Sequence, residues 1–244
     1  DAPGALLLAA CMSTLLLSLV LSQRRDVSGI WAVALLVVAL LLLASYVWHA
    51  NRVSEPIIRP TLFADARFAI PNILNVLANL ASFSILLLTP YYLANVLKLT
   101  PLGIGIVLAM TFGGGLTGAP LSAVLVRRIG QRPTVFAGVA FVGLGLLPIA
   151  FTGIDTPVLL VAALLVLQGI GQGLLVVAYT DIVTATLPPR DRGVAGSLSL
   201  LTRTLGTVSG ASVLTALQAY GAEGFAGAAG FLAGYQFAFM VAGG

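Results

Sequence analysis

Polar side chains recur at helical spacing on two otherwise apolar stretches of the chain. In the first stretch successive polar residues are three or four positions apart, which places them on one face of an α-helix. In the second stretch the outermost two are eleven positions apart, close to whole helical turns. We predict that both faces line a cavity; the alternative is hydrogen bonding that only holds helices together. The seven residues are Asn72, Asn75, Asn79, Ser82, Gln168, Gln172 and Tyr179.

Two charged residues also interrupt apolar stretches, Asp181 and Arg203. Counted from the loop between their stretches, they lie about 10 Å and 15 Å deep, close enough for a long arginine side chain to bridge. Three hypotheses follow for this pair. It is a permanent salt bridge that fixes helix packing, or a gate that closes in one conformation, or Asp181 binds a proton or a cation directly.

Composition places these residues in a membrane protein. Of 244 residues 59% are apolar and 8% are charged, whereas a soluble domain carries roughly 25% charged residues. Eight apolar stretches have the length that crosses a bilayer, and their continuous apolar runs do not alternate as barrel strands do. We therefore predict an all-α, polytopic helical bundle. Its spans are expected at about 3–22, 30–50, 69–94, 102–126, 133–152, 157–187, 194–219 and 227–244.

The distribution of basic residues predicts the orientation of the bundle. Cytoplasmic loops carry an excess of Lys and Arg, and the loops here divide into a set with eight such residues and a set with three (Arg24, Arg25 and Lys98). Both ends of the chain are then expected in the cytoplasm. The net charge of +4 follows from topology, so a nucleic-acid partner is not indicated. The eight residues are Arg52, Arg59, Arg67, Arg127, Arg128, Arg132, Arg190 and Arg192.

The residue types do not indicate an enzyme, a cofactor site or a metal site. One histidine, His49, and one cysteine, Cys11, cannot assemble a nucleophile with its base or a metal cluster. The glycines of "GIGQG" (169–173) lack the preceding strand and the following Lys-Ser/Thr of a phosphate loop. Together with those of "TFGGGLTGAP" (111–120) and "GTVSG" (206–210), they are expected to let neighbouring helices approach closely.

Two short loops carry basic residues and helix-breaking residues. "RRIGQRP" (127–133) is expected to turn tightly at Gly130, and "TLPPRDRG" (186–193) to stop one helix at its prolines and to cap the next with Asp191. Topology and capping explain both loops. The loop residues that we single out are Arg127, Arg128, Gly130, Arg132, Arg190, Asp191 and Arg192.

The order of these motifs resembles one particular family. The chain carries, in succession, "EPIIRPTLFADARF", "LLLTPYYLANVLKLTPLGIGIVL", "GAPLSAVLVRRIGQRP", "LQGIGQGLL" and "LPPRDRGVAGSLSLLTRTLGTVSG". This order is similar to the C-terminal portion of fourteen-span drug:proton antiporters of the major facilitator superfamily. The resemblance implies two extra helices between transporter halves (1–50), a cytoplasmic linker (51–68) and a C-terminal six-helix bundle (69–244) whose last helix is cut short. It also implies a partner, an N-terminal six-span half that this sequence lacks.

The resemblance further implies a function for the whole protein. Members of this branch are secondary active transporters that exchange amphipathic, often cationic, drugs for protons by alternating access in the plasma or inner membrane. Arg203 matches the arginine of the family's "RxLG" pattern, whereas Asp181 stands where a small or hydroxyl residue is expected. The alternatives are an exporter of a metabolite or siderophore with the same fold, and a half-transporter that scaffolds without transporting.

Overall fold

The protein folds into α-helices across the residues that its computed structural model describes, which are 1–22, 29–53, 56, 60–186, 192–221 and 227–243. No strand occurs within these ranges, so the predicted all-α fold class is confirmed. Short 3-10 helices precede α3 (Pro60–Ala64) and follow α5 (Leu147–Phe151). The helices are α1 Ala2–Ser22, α2 Gly29–Ala50, α3 Ala66–Asn95, α4 Pro101–Ile129, α5 Gln131–Leu146, α6 Val158–Thr186, α7 Arg192–Gly221 and α8 Gly227–Gly243.

Six of the described helices, α1 to α6, are long and apolar enough to cross a membrane, α5 together with the 3-10 turn that follows it. Helix α7 reaches 30 residues but is richer in Ser, Thr and Gly, and α8 supplies a shorter apolar helix, Leu232–Gly243. The protein is therefore a multi-pass membrane protein. The seventh and eighth predicted spans coincide with helices, and their crossing of the membrane stays a prediction.

Local sequence signals set several helix ends. The Asp65 carboxylate accepts a hydrogen bond from the Arg67 backbone N–H at 2.8 Å and so caps α3. Thr100 caps α4, with Pro101 as its first residue. Gly130 ends α4 with a φ of 92°, a conformation that residues with a Cβ atom rarely adopt. The chain therefore reverses within one residue between α4 and α5.

Helix α6 lies between α4 and α5 and touches both along its length. A Cβ atom at Gly118 of α4 would lie 2.9 Å from the Cα of Ile170, and Ser122 Oγ donates to the Leu174 carbonyl at 2.9 Å. These two contacts advance in the same direction, so α4 and α6 are parallel. On the other side Gly145 of α5 meets the backbone of Gln168. The predicted close approach at the glycines of α4 and α6 is confirmed.

Helix α7 packs in the same manner on α3. A Cβ atom at Gly206 would meet the carbonyl of Val76, and one at Gly210 would lie 2.7 Å from the carbonyl oxygen of Leu80. Small residues at a helix contact let two backbones approach, and the resulting van der Waals packing is one source of attraction between helices in lipid. Helices α1 and α2 form an antiparallel hairpin that contacts the bundle through α1 and α7.

The contact between α4 and α6 predicts that Gly118→Ala lowers the free energy of unfolding. The added methyl group must displace the α6 backbone, which typically costs about 1–3 kcal/mol. The measurement is the midpoint of thermal unfolding of the purified protein in detergent.

The matched control is Gly113→Ala, five residues earlier on α4, where nothing lies within 4 Å of the added Cβ atom. There the better helix propensity of alanine should leave stability unchanged or raise it by up to about 1 kcal/mol. An equal loss of stability in both variants would contradict the packing argument.

Candidate functional site

The two polar faces predicted from the sequence meet inside the bundle. Helices α3 and α6 run antiparallel, so residues early in α3 face residues late in α6. The Tyr179 hydroxyl donates to Asn72 Oδ1 at 2.8 Å near one end of the contact. Gln168 Nε2 donates to Ser82 Oγ at 2.8 Å near the other end. The structure therefore brings the two stripes together face to face.

Hydrogen bonds connect the residues between these two ends. Gln172 Nε2 donates to Asn79 Oδ1 at 3.1 Å, and its Oε1 accepts from the Ser82 hydroxyl at 3.2 Å. Asn79 Nδ2 in turn donates to the carbonyl and to the side-chain oxygen of Asn75, at 2.7 and 3.1 Å. These bonds join Asn75, Asn79, Ser82, Gln168 and Gln172 into one network, whereas Asn72 and Tyr179 form a separate pair.

Thr202 of α7 connects that pair to the network, so that all seven stripe residues are linked through it, and sequence reasoning missed it. Its hydroxyl accepts from Asn75 Nδ2 at 2.9 Å and lies 3.1 Å from the Tyr179 hydroxyl. A usable signal existed in the spacing, because Thr202 precedes Gly206 and Gly210 by four and eight positions. It therefore shares the helical face that packs on α3. Through Thr202 the network ties together three helices.

The network is largely shielded from the surroundings of the bundle. Tyr179 is 2% exposed and Gln168 is 1% exposed, and among the stripe residues only Ser82 and Gln172 are more than slightly accessible. Within the described part of the chain, Gln168 Oε1 accepts no hydrogen bond, so the network ends on a free acceptor. In this conformation most stripe residues therefore bond to residues of neighbouring helices, as the alternative to a cavity wall predicted.

An apolar cavity of about 520 Å³ lies beside the network, between the α1–α2 hairpin and helices α3 and α7. Leu8, Tyr46 and Leu205 contribute to its walls. Its walls also include Asn72 and Thr202, which both belong to the network. An apolar cavity with a few convergent polar groups is typical of sites that bind small amphipathic molecules. Lining of a cavity by the other stripe residues stays a prediction.

The structure does not pair Asp181 with Arg203. Both side chains are exposed, and within the described residues the ion pair present joins His49 and Asp1 at 2.9 Å. The hypothesis of a permanent salt bridge between Asp181 and Arg203 is therefore corrected for this conformation.

Helix geometry explains this separation. Helices α6 and α7 meet where Tyr179 approaches Thr202. Asp181 follows Tyr179 by two residues and points about 200° away around α6, at about 100° per residue. Arg203 follows Thr202 by one residue and points about 100° away around α7. The two charges therefore leave the contact between their helices in different directions.

The packing of α4 on α6 sets the depth of Asp181. The bond between Ser122 and the Leu174 carbonyl fixes the register of the two parallel helices. Continued along both helices, that register places Asp181 level with Ile129, beside the arginines at 127–128 that end α4. Asp181 lies about 8 Å from the end of α6, near the predicted cytoplasmic boundary rather than the middle of the membrane.

The loop residues occupy the ends of these helices where the structure describes them. Two residues, Arg190 and Asp191, lie outside the described residues, so the predicted cap by Asp191 stays a prediction. The others are Arg127 and Arg128 in the last turn of α4, Gly130 at the reversal, Arg132 in the first turn of α5 and Arg192 as the first residue of α7.

Sequence comparison decides the family. Residues 72–244 match the model of the Major Facilitator Superfamily. The chain belongs to the major facilitator superfamily. This match confirms the superfamily that the order of the motifs indicated from the sequence alone.

Three relatives within this superfamily show the range of the match. The chain is 25% identical over 219 residues to the tetracenomycin C resistance and export protein of Streptomyces glaucescens, which covers 90% of the chain and 41% of the relative. It is 28% identical to the multidrug resistance protein Stp of Mycobacterium tuberculosis (88% and 40%) and 26% identical to the riboflavin transporter RibZ of Clostridioides difficile (84% and 44%). The chain spans about two fifths of the length of these relatives.

The network predicts energetic coupling between Tyr179 and Thr202. Removing the hydroxyl with Tyr179→Phe leaves Asn72 Oδ1 without its donor, and Thr202→Val leaves Asn75 Nδ2 without its acceptor. In a double-mutant cycle we expect a coupling of about 0.5 kcal/mol or more, because residues in one network are not independent. The measurement is thermal or denaturant unfolding of the four proteins.

The control for this cycle pairs Thr202→Val with Thr180→Val. Thr180 follows Tyr179, is exposed, and donates to the Val176 carbonyl of its own helix at 2.7 Å. That pair should show additive effects. Additive effects for Tyr179 and Thr202 as well would refute a shared network.

The separation of Asp181 from Arg203 predicts that Asp181→Asn and Arg203→Gln act independently. Both side chains are exposed and form no ion pair with another described residue, so each variant should change stability by about 0.5 kcal/mol or less. The double variant should show the sum of both effects. A coupling clearly above that value would instead show that the two charges pair in solution.

Proposed function

We propose that this chain forms part of a secondary active transporter that exports amphipathic small molecules. The observation that carries the proposal is the apolar cavity whose walls include Asn72 and Thr202, two members of the network between α3, α6 and α7. A bound molecule that displaces Asn72 would disturb hydrogen bonds on α3 and α6, and one that displaces Thr202 would disturb them on α3, α6 and α7. Occupancy of the cavity and the packing of the bundle are therefore linked.

The names of the relatives support a drug-like cargo. Two of them are called a resistance and export protein and a multidrug resistance protein. Cavity walls built from leucine, valine and aromatic side chains bind such compounds by burying their apolar surface rather than by fixed hydrogen bonds. Such a cavity can accept compounds of different structure. Transport, rather than catalysis, is the activity that we propose for the chain.

We further propose that a second six-span half completes the transport path. Transporters of this architecture rock two bundles against each other around a site near the middle of the membrane. Arg203 is exposed on the described bundle about 16 Å from the start of α7, where a charged side chain would cost roughly 2.5–3.5 kcal/mol against lipid. Contact with a second half, or with water between the halves, removes that cost.

Coupling to protons is proposed for Asp181, which is the one acidic side chain inside the described helices. Its exposure and its place near the predicted cytoplasmic boundary allow it to exchange a proton with water as the halves move. Arg203 is proposed to act separately, as a gating residue that meets the second half. Plasma or inner membrane location follows from this function.

A vitamin or other metabolite is the second candidate cargo. The observation that favours it is the match to a riboflavin transporter, at an identity similar to that of the drug-resistance relatives. Competition between a cationic dye and riboflavin in one transport assay distinguishes these two cargo classes.

The function is tested by filling the cavity in the full-length protein. We expect Leu201→Trp to lower transport of a fluorescent cationic dye about tenfold, because Leu201 lines the cavity and the indole ring occupies its volume. The assay measures dye movement into inverted proteoliposomes under an imposed pH gradient. Wild-type transport should collapse when a protonophore removes that gradient.

Leu200→Trp is the matched control, since Leu200 is the preceding residue on α7, is 65% exposed and faces away from the cavity. It should retain transport. Equal activity of both variants would exclude this cavity from the transport path. An absence of wild-type transport with every cargo would favour a scaffold without transport activity.

A further inference from the structure

A cavity of about 170 Å³ lies where the first turns of α3 and α5 meet. Arg67 and Arg132 both line it, from two different helices. The remaining walls are apolar and include Ile70 and Phe136. This combination of two basic residues with apolar walls distinguishes the cavity from the one between the α1–α2 hairpin and α7.

The two arginines are available to bind an anion. Both side chains are exposed, and within the described part of the chain neither forms an ion pair. The nearest acid in sequence, Asp65, is engaged as the cap of α3. The first turn of α5 has no side-chain cap, so its partly positive amide groups add to the field of the arginines.

The apolar side of this cavity continues deeper into the bundle. A second cavity of about 380 Å³ lies between α3, α5 and the end of α8, and it shares Leu74 with the first. Its walls include Ala81 of α3 and Val142 of α5. Together the two cavities extend along α3 from Arg67 to Ala81, a length of about 21 Å. Half the thickness of a bilayer, with its headgroups, is also about 20–22 Å.

We propose that this groove binds one anionic phospholipid of the cytoplasmic leaflet. The phosphate lies between Arg67 and Arg132, and an acyl chain follows the apolar groove past Leu74. Basic pockets between membrane helices on the cytoplasmic side are suited to anionic headgroups, and the predicted orientation places the starts of α3 and α5 on that side. The proposal is independent of the transported cargo.

The test uses the full-length protein purified in detergent and titrated with phosphatidylglycerol or with phosphatidylcholine of the same acyl chains. Native mass spectrometry measures the lipid retained, and thermal unfolding measures its effect. Phosphatidylglycerol should be retained and should raise the unfolding temperature, whereas phosphatidylcholine should do neither. Arg67→Gln with Arg132→Gln should weaken retention about thirtyfold, as the loss of two arginine contacts near the membrane surface implies.

The matched control is Arg127→Gln with Arg128→Gln, which removes two exposed arginines from the same end of the bundle outside the cavity walls. It should retain the lipid as the wild type does. A third variant, Leu74→Trp, keeps both arginines and blocks the groove, and it should also lose retention.

Three results would overturn the proposal. One is equal retention of phosphatidylcholine, and another is an equal loss in both pairs of arginine variants, which would indicate unspecific attraction. The last is a rise in unfolding temperature with inorganic phosphate alone that equals the rise with phosphatidylglycerol, together with unchanged lipid retention in Leu74→Trp. That result would indicate a phosphate site without a lipid chain.

Discussion

Hydrogen bonding among buried amide and hydroxyl groups is the interaction on which the arrangement of α3, α6 and α7 depends. A polar side chain in hydrocarbon has no water to bond, so it turns toward another polar side chain even at the expense of apolar packing. Asn75, Tyr179 and Thr202 satisfy one another across three helices. This requirement fixes which faces of the helices turn inward, and it leaves the apolar faces for lipid and for the cavity beside α7.

Close backbone contact is the second constraint, and it acts mainly on α6. Lipid tails are as apolar as leucine, so helices in a bilayer gain little from burying large side chains and gain more from close packing. Gly118 and Gly145 bring α4 and α5 onto α6 from either side, and Gly206 brings α7 onto α3. These contacts also fix the helix registers. The depth of Asp181 therefore follows from a contact between Ser122 and Leu174 some ten angstroms away along the helix.

The sequence predicted most residues of the candidate site, but it did not predict whether they line a cavity or hold helices together. Helical spacing identified the stripes of α3 and α6, because a polar residue inside a membrane helix has few places to turn. The same spacing could not separate a cavity wall from a contact between helices, since both require polar residues on one face. Two of the three hypotheses paired Asp181 with Arg203, because their depths match. Depth ignores the direction of a side chain around its helix, and that direction separates them.

The sequence by itself determined the membrane environment, the eight helices, the tight reversal at Gly130 and the superfamily. Each of these follows from local properties: apolar length, turn residues and the order of motifs along the chain. Only the tertiary structure decided which polar residues bond to one another, that Thr202 joins them, and that Arg67 and Arg132 flank one groove. Those outcomes depend on which helices become neighbours and in what register, and no local pattern carries that information because it arises from packing between segments far apart in sequence.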